Sequence, residues 1–192
     1  MAGIVIKPRA RILHGHDWVF SSEVLKVFGN PVDGDVISLK DGKDHLIGSA
    51  IYNSKSQIVA RRFSRRRQDL DQDFFRRRIE QASEYRDRRN FDAKLRRVVW
   101  SESDGLPGVI IDRYGDDFVL QTLTLAMDMR KDFITAAMVD LFGSELVGEV
   151  DRRARWQARR TADACSPVGE PRAERDRGLV FAERIEAGRD TP

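Results

Sequence analysis

The sequence predicts an α+β protein, in which a small β-barrel is followed by a small mixed α/β domain and a largely disordered tail. Residues 4–63 are short apolar runs divided by turn residues, a pattern typical of a small barrel or sandwich. Residues 71–89 change to a helical period. Residues 151–192 hold only six large apolar side chains, too few to offset the entropy of ordering. The expected boundaries are 1–68 for the barrel, 69–146 for the linker helix and small α/β domain, and 147–192 for the tail.

Turn chemistry marks the strands of the first domain. Residues 31–35 and 40–43 carry the Pro, Asp and Gly of tight turns, and a polar turn lies at residues 53–56. The strands predicted between these turns cover residues 36–39, 46–52 and 57–63.

A helical turn and an aromatic segment precede these strands. Pro8 can open the turn and Gly15 can close it. Trp18 and Phe20 are expected to pack against the barrel as core aromatics. The residues expected to face solvent or nucleic acid are Arg9, Arg11 and His14.

Residues 71–89 predict an amphipathic helix that Asp71 or Asp73 can cap. Its expected apolar face consists of Phe75, Ile79, Ala82 and Tyr85.

A hairpin and a further helix complete the second domain. Strands at residues 109–114 and 118–122 flank a Gly-Asp-Asp turn. Asp128 is expected to cap a helix that ends at Gly143. Its expected apolar face consists of Met129, Phe133, Ile134, Ala137, Met138 and Leu141.

Positive charge is concentrated between residues 61 and 97, which hold thirteen arginines and Lys94 against seven acidic residues. Five of these arginines directly follow a predicted strand, from which they can project together onto several phosphates. These candidate RNA-binding residues are Arg61, Arg62, Arg65, Arg66 and Arg67. The alternative is a solvated linker between two domains.

Residues 101–108 form a turn with two glycines and a proline, and this is the most distinctive motif of the chain. We expect a tightly structured loop containing Ser103, Asp104, Gly105, Pro107 and Gly108. Two catalytic alternatives are weaker. In the first, a hydrolase would need a histidine base, yet all three histidines lie in the other domain. In the second, Glu102 and Asp104 could act as paired carboxylates.

Other functional classes lack their sequence signals. His14 and His16 form an i, i+2 pair without a third metal ligand at a recognisable spacing, so no metal is expected. No phosphate-binding glycine loop is present. The single cysteine, Cys165, fits a reducing compartment, and no apolar run suits an export signal or a membrane span, so a cytoplasmic location is expected.

Several segments together resemble the PUA-domain-containing, S-adenosylmethionine (SAM)-dependent ribosomal large-subunit methyltransferase I family, which modifies cytosine C5 of rRNA. The resemblance spreads over about 140 residues. It is carried by HDWVFS at 16–21, IGSAIYN at 47–53 followed by SQI at 56–58, DFFRRR at 73–78 and SESDGLPGVIIDRYG at 101–115. Asp17 stands where the family usually has proline, a difference expected to alter only the local turn.

The resemblance implies a PUA-like RNA-binding barrel and a small α/β domain, but not the third, Rossmann-like domain that holds the family's SAM site and catalytic cysteine. No catalytic or cofactor-binding residue is therefore assigned, and Cys165 is not assigned as the nucleophile. Without the third domain, apolar surface on residues 109–125 or on the last helix would favour self-association.

The resemblance weakens after about residue 143, where only islands such as residues 178–181 follow the family pattern. We hypothesise that the reading frame was disrupted there. Translation of the encoding DNA in its other two frames tests this, and failure to find a glycine-rich strand–turn–helix would contradict it.

These observations predict an RNA-binding fragment whose partner is rRNA and which does not methylate by itself. A stand-alone PUA-like module that docks a separate catalytic chain is the alternative. A free-standing enzyme is the weakest reading, since it would require SAM to bind this chain alone.

Overall fold

Nine strands and three α-helices form the part of the chain that a computed structural model describes, residues 2–143. The strands are β1 (Gly3–Ile6), β2 (Trp18–Phe20), β3 (Val24–Phe28), β4 (Val36–Lys40), β5 (Leu46–Tyr52), β6 (Ile58–Ser64), β7 (Leu95–Trp100), β8 (Val109–Tyr114) and β9 (Asp117–Thr122). The helices are α1 (Gln72–Arg88), α2 (Leu125–Asp128) and α3 (Lys131–Phe142). The α+β class is confirmed. The predicted tail, with Cys165 and the proposed frame disruption, lies outside the described residues.

The first six strands form one mixed sheet that curves into a half-barrel, so the predicted barrel is confirmed in an open form. The strand order is β2-β6-β5-β4-β1-β3, and only the β1–β4 pair is parallel. The predicted helical turn is a 3-10 turn at Arg11–His14, ended by left-handed Gly15. The main buried side chains of this half-barrel are Ile4, Ile6, Ile12, Val19, Ile37, Leu39 and Ala50.

The prediction that Trp18 and Phe20 are core aromatics is wrong. Successive side chains of a strand point to opposite faces, and the fully buried residue of β2 is Val19. Trp18 is therefore turned outward and is 38% exposed, while Phe20 is partly buried. This outward position places the indole of Trp18 beside the second domain, where its ring nitrogen finds a partner.

Helix α1 begins where the sequence predicts, because the Asp71 carboxylate accepts a hydrogen bond of 2.7 Å from the amide of Phe74. Its buried face contains the predicted Phe75, Ile79 and Ala82, together with Phe74 and Arg86. Tyr85, expected on this face, is instead 46% exposed. The inward position belongs to its neighbour Arg86, whose charge is matched by the Asp104 carboxylate, which is 10% exposed.

The second sheet has the order β7-β8-β9, all antiparallel. The predicted hairpin of β8 and β9 is confirmed, whereas β7 was not predicted. Two arginines in β7 obscure the apolar alternation of a strand, yet both are paired. Arg96 bonds to Asp87 of α1, and Arg97 forms a bidentate pair with Asp112 of β8, at 2.7 and 2.9 Å.

The last predicted helix is divided in two. Asp128 ends α2 and accepts a hydrogen bond from the Thr122 hydroxyl at 2.8 Å, so it does not cap α3, which begins at Lys131. The predicted end at Gly143 is correct. Of the expected apolar face, Ile134, Ala137 and Met138 are buried and Leu141 is partly buried, whereas Met129 and Phe133 are 63% and 47% exposed.

Apolar packing is continuous from the half-barrel into the helices. Ile51 and Phe63 of the first sheet belong to the same buried cluster as Phe74 and Phe75 of α1. The rings of Phe63 and Phe74 meet edge to face, with centroids 5.3 Å apart. The end of β6 is thereby fixed against the start of α1, and the arginine-rich linker runs between them.

Gly48 permits the close approach of β5 and β6 just before this linker. A methyl group at Gly48 would lie 2.1 Å from the carbonyl oxygen of Ser64, and the φ angle of +145° disfavours other residues. The starting point of the linker therefore depends on a residue without a side chain.

Candidate nucleic-acid interface

A cleft of about 720 Å³ opens between the end of β6, the linker and the first turns of α1. Six arginines line it: Arg62, Arg65, Arg66, Arg67, Arg77 and Arg78. Two acidic residues, Asp17 and Glu102, also reach its wall, together with Gly105 of the motif loop. The fold thus brings four of the five predicted arginines, Arg62 near the end of β6 and residues 65–67 of the linker, together with part of the motif loop.

Arg62 is held by a carboxylate within the wall of the cleft. Its side chain is 8% exposed, and its Nε and Nη2 atoms donate to the Asp17 carboxylate at 2.9 and 2.7 Å. The carbonyl oxygen of His16 accepts a further bond at 3.4 Å. Asp17 therefore does more than shape a turn, because its charge compensates a buried guanidinium.

Glu102 joins the motif loop to the half-barrel. Its Oε1 atom accepts hydrogen bonds from Trp18 Nε1 at 3.0 Å and from Arg61 Nη1 at 2.7 Å. The Ser101 hydroxyl donates to its other oxygen. Arg61 also lies over the Trp18 ring, 4.9 Å from its centroid. Arg61, predicted to contact RNA, thus connects the half-barrel to the motif loop of the second domain.

Burial raises the pKa of Glu102, but the hydrogen bonds from Ser101 and Trp18 and the charge of Arg61 together lower it more. The net pKa lies below its ordinary value, so the carboxylate stays charged at neutral pH.

Replacing Glu102 with Gln should therefore reduce stability in a pH-dependent way. Because the folded-state pKa is lowered, the charge contributes stability above the ordinary pKa of 4.5 and loses it as the pH falls through the folded value. Urea unfolding at a series of pH values measures the free energy of unfolding. The difference between variant and wild type should be constant near neutral pH and should shrink below about pH 4.5. Glu84→Gln, at an exposed pair with Arg88, is the control. A difference that grows in acid would contradict this assignment.

Asp104 joins the motif loop to α1. Its two oxygens accept from Arg86 Nη1 and Nη2 at 2.6 and 2.7 Å, and both side chains are 10% exposed. The amide of Trp100 donates to the same carboxylate at 2.6 Å. Gly105 then ends the turn in the left-handed conformation. Asp104 and Glu102 therefore bind different arginines, an arrangement that suits a structural loop better than an acid–base pair.

The remaining arginines of the cleft give it a strong positive charge. Residues 65–67 and Arg77 are exposed, and Arg78 is partly buried. No carboxylate of the described residues pairs with any of these five. An anion entering the cleft therefore meets five available guanidinium groups.

The predicted residues Arg9, Arg11 and His14 lie in or just before the 3-10 turn and do not line the cleft. All three are exposed, and Arg11 also stacks over the Phe20 ring at 4.5 Å, with its guanidinium 3.7 Å from the Glu23 carboxylate. A smaller depression lined by Leu13, Gly15 and Arg65 connects the turn to the linker. The turn thus adjoins the cleft through Arg65, without lining the cleft itself.

Arg77 and Arg78 also line the cleft, although the sequence does not predict them as site residues. The signal was the run of arginines at 76–78, but helical phase decides which of them faces the linker. Arg76 points elsewhere on α1 and lies 3.9 Å from Glu80. Only the placement of α1 against β6 distinguishes the three.

Among residues 2–143, no three His, Cys, Asp or Glu side chains are grouped as metal ligands would be. No helix in the same range is long and apolar enough to cross a bilayer.

The cleft does not suit SAM. The sulfonium group of SAM is positively charged, and five guanidinium groups without carboxylate partners would repel it. Of the carboxylates that the described residues place on the wall, Glu102 has both oxygens engaged by hydrogen bonds, and Asp17 is paired with Arg62. No methyl-transfer step is derived for these residues.

The family comparison defines the class of the first module. Residues 4–65 match the PUA-like domain family, and this range covers the half-barrel and the first arginine of the linker. The first module is therefore a PUA-like domain.

Relatives extend the match beyond that domain. Ribosomal RNA large subunit methyltransferase I from Aeromonas hydrophila is 37% identical over 146 residues, covering 72% of this chain and 36% of that protein. The protein of the same name from Klebsiella pneumoniae is 36% identical over 136 residues, covering 68% and 34%. Over its matched residues the chain is similar to the N-terminal portion of the ribosomal RNA large subunit methyltransferase I proteins, as the resemblance predicts. It spans about a third of the length of the curated relatives it matches.

Two solved structures share the fold, each with a TM-score of 0.65 and 19% identity over 78% of this chain. One is a proposed methyltransferase complexed with SAH, of which this chain covers 39%. The other is a proposed SAM-dependent methyltransferase from Streptococcus mutans, of which it covers 40%. At this identity the two establish the fold alone.

Proposed function

We propose that this chain binds RNA through the arginine cleft, as the RNA-binding N-terminal part of a 23S rRNA (cytosine-5)-methyltransferase-like protein. The observation that carries the proposal is the convergence of five arginines without carboxylate partners on one cleft, at residues 65–67, 77 and 78. Guanidinium groups bind phosphate oxygens through charge-assisted, often bidentate hydrogen bonds.

The two modules contribute different walls of this cleft. The linker that leaves the PUA-like domain supplies residues 65–67, and α1 supplies Arg77 and Arg78. Phe63 and Phe74 lie behind them and are almost fully buried, so they offer no ring face for a base to stack on. Affinity would come from phosphates and shape, with little base-specific recognition.

The names of the relatives support rRNA as the partner, and binding to rRNA would require the cytoplasmic location that the sequence also predicts. SAM and methyl transfer belong to the proteins as wholes, of which this chain spans about a third. We do not expect the described residues to methylate RNA by themselves, since their charged cleft would repel the methyl donor.

Replacing residues 65–67 with Gln should weaken RNA binding by about 10- to 100-fold, if each exposed contact contributes about 0.5–1 kcal/mol. Three fewer phosphate contacts should also make the dependence of log K on log salt shallower by about 2. Fluorescence anisotropy between about 50 and 200 mM salt measures both quantities.

A matched triple variant distinguishes the loss of contacts in the cleft from the loss of net positive charge. Gln at Arg76, Arg88 and Arg89 removes the same charge from exposed positions of α1 that do not line the cleft. Its affinity should change by less than about 3-fold, because salt screens distant charges. Equal losses for the two variants would contradict a cleft-specific site.

A docking module is the second candidate, and one observation favours it. Leu95, Trp100 and Tyr114 share one face of the second sheet by their cross-strand register and are 66%, 52% and 56% exposed. The Arg97–Asp112 ion pair lies between them on this face, and a face that combines exposed aromatic side chains with arginine is typical of protein interfaces. A separate catalytic chain, or a second copy of this one, would cover it. RNA binding that appears only with a protein partner would favour docking, and concentration-dependent sedimentation would favour self-association.

A further inference from the structure

The shape of the cleft limits which RNA can enter it. Double-stranded RNA is normally bound along its outside, through phosphates and 2′-hydroxyl groups that span successive grooves. A recess of about 720 Å³ is instead of the size that encloses small molecules. A double helix can touch the rim of such a recess, but only an unpaired segment can extend between its two walls.

The charged groups of the cleft come from both of the segments that line it. Residues 65–67 belong to the linker that follows β6, and Arg77 and Arg78 belong to α1. A single strand carries phosphates along its whole length and has rotatable bonds between them. It can therefore bring successive phosphates to both segments inside the cleft, which the fixed spacing of a duplex does not allow.

Arg78 differs from the other four arginines because the fold restrains its guanidinium. The guanidinium carbon lies 5.5 Å from the centroid of the Phe74 ring, and Nη2 donates to the carbonyl oxygen of Phe63 at 3.4 Å. The motif loop closes over it at Gly105, where a methyl group would lie only 3.2 Å from the Arg78 Cζ atom. A donor held in this way loses little entropy when a phosphate binds.

We propose that the cleft binds an unpaired RNA segment, with Arg78 as the restrained phosphate anchor and the exposed residues 65–67 of the linker as further phosphate contacts. This inference rests on the proposed RNA-binding function and specifies its ligand. It also gives the glycine of the motif loop a role, since Gly105 leaves the space that the Arg78 guanidinium occupies.

Three RNAs with the same number of nucleotides test the inference: an unstructured oligouridine, a perfectly paired hairpin whose loop is replaced by a non-nucleotide linker, and a hairpin with the same linker in which a two-nucleotide bulge takes the place of one base pair. The wild-type chain should bind the oligouridine and the bulged hairpin at least about 10-fold more tightly than the paired hairpin. Arg78→Lys keeps the charge but loses the planar fork of donors. It should weaken binding of the two unpaired ligands by about 10-fold and change paired-hairpin binding by less than about 2-fold.

Arg76→Lys is the matched control on the neighbouring exposed position, and it should leave all three affinities unchanged within about 2-fold. Thermal unfolding of each variant checks that the fold is retained. Gly105→Ala is a second variant that keeps every charge while crowding Arg78, and it should reproduce the selective loss for unpaired ligands. Its φ of +71° also strains alanine, so a lower melting temperature is expected beside that loss.

The possible failures are distinguishable. Equal affinity for paired and unpaired RNA, with the same loss in Arg78→Lys for both, would overturn the inference and leave RNA binding by the cleft intact. RNA binding that is insensitive to Arg78 and to residues 65–67 would overturn the proposed function as well.

Discussion

Replacing Asp104 with Ala should lower the free energy of unfolding by about 3–5 kcal/mol, because it would leave the buried Arg86 guanidinium without a counter-charge. Asp104 receives two hydrogen bonds from Arg86, at 2.6 and 2.7 Å, and one from the amide of Trp100. The variant would therefore lose the connection between the motif loop and α1. Urea denaturation, monitored by tryptophan fluorescence, measures the change.

Two further variants isolate the cause. Glu84→Ala disrupts the exposed pair with Arg88 on the same helix and should cost no more than about 1 kcal/mol. Combining Asp104→Ala with Arg86→Leu removes the uncompensated charge and should recover part of the loss. A cost below about 1 kcal/mol for Asp104→Ala alone would show that the pair does not hold the loop.

Replacing Phe75 with Ala should cost about 3–5 kcal/mol, since it empties the centre of the core that the two modules share. The Phe75 side chain is fully buried, and its ring lies 5.7 Å from that of Phe74 in an edge-to-face contact. Differential scanning calorimetry measures the expected fall in melting temperature.

Tyr85→Ala on the same helix is the control for Phe75. Tyr85 is 46% exposed, so its removal should change stability by no more than about 0.5 kcal/mol. Similar losses at both positions would mean that α1 buries the face expected from periodicity alone, with Tyr85 facing inward.

Periodicity in the sequence was sufficient for elements whose residues follow a local rule. Helix α1 was predicted because its apolar residues recur at helical spacing after a capping Asp71. The sequence pattern could not predict that Arg86, and not Tyr85, lies on the buried face of α1. That position of Arg86 depends on Asp104, eighteen residues further along the chain. Strand β7 was missed for the same reason, since Arg97 is neutralised by Asp112 across the sheet.

The candidate site shows the same limit. The charge density predicted an arginine-rich surface after β6, but not that the fold would engage Arg61 and Arg62 in ion pairs with Glu102 and Asp17. Those partners lie 41 and 45 residues away in sequence. Arg77 and Arg78 line the cleft because α1 packs against the end of β6, and no local sequence pattern specifies that packing.

Mapping the residues that contact bound RNA tests directly whether the arginine cleft is the RNA site. Amide NMR spectra of the isotope-labelled chain, titrated with a short unstructured RNA, report these contacts residue by residue. The largest shift changes are expected at residues 64–68 and 77–81. Changes confined to the exposed face around Leu95, Trp100 and Tyr114, with the cleft unaffected, would contradict an RNA site in the cleft.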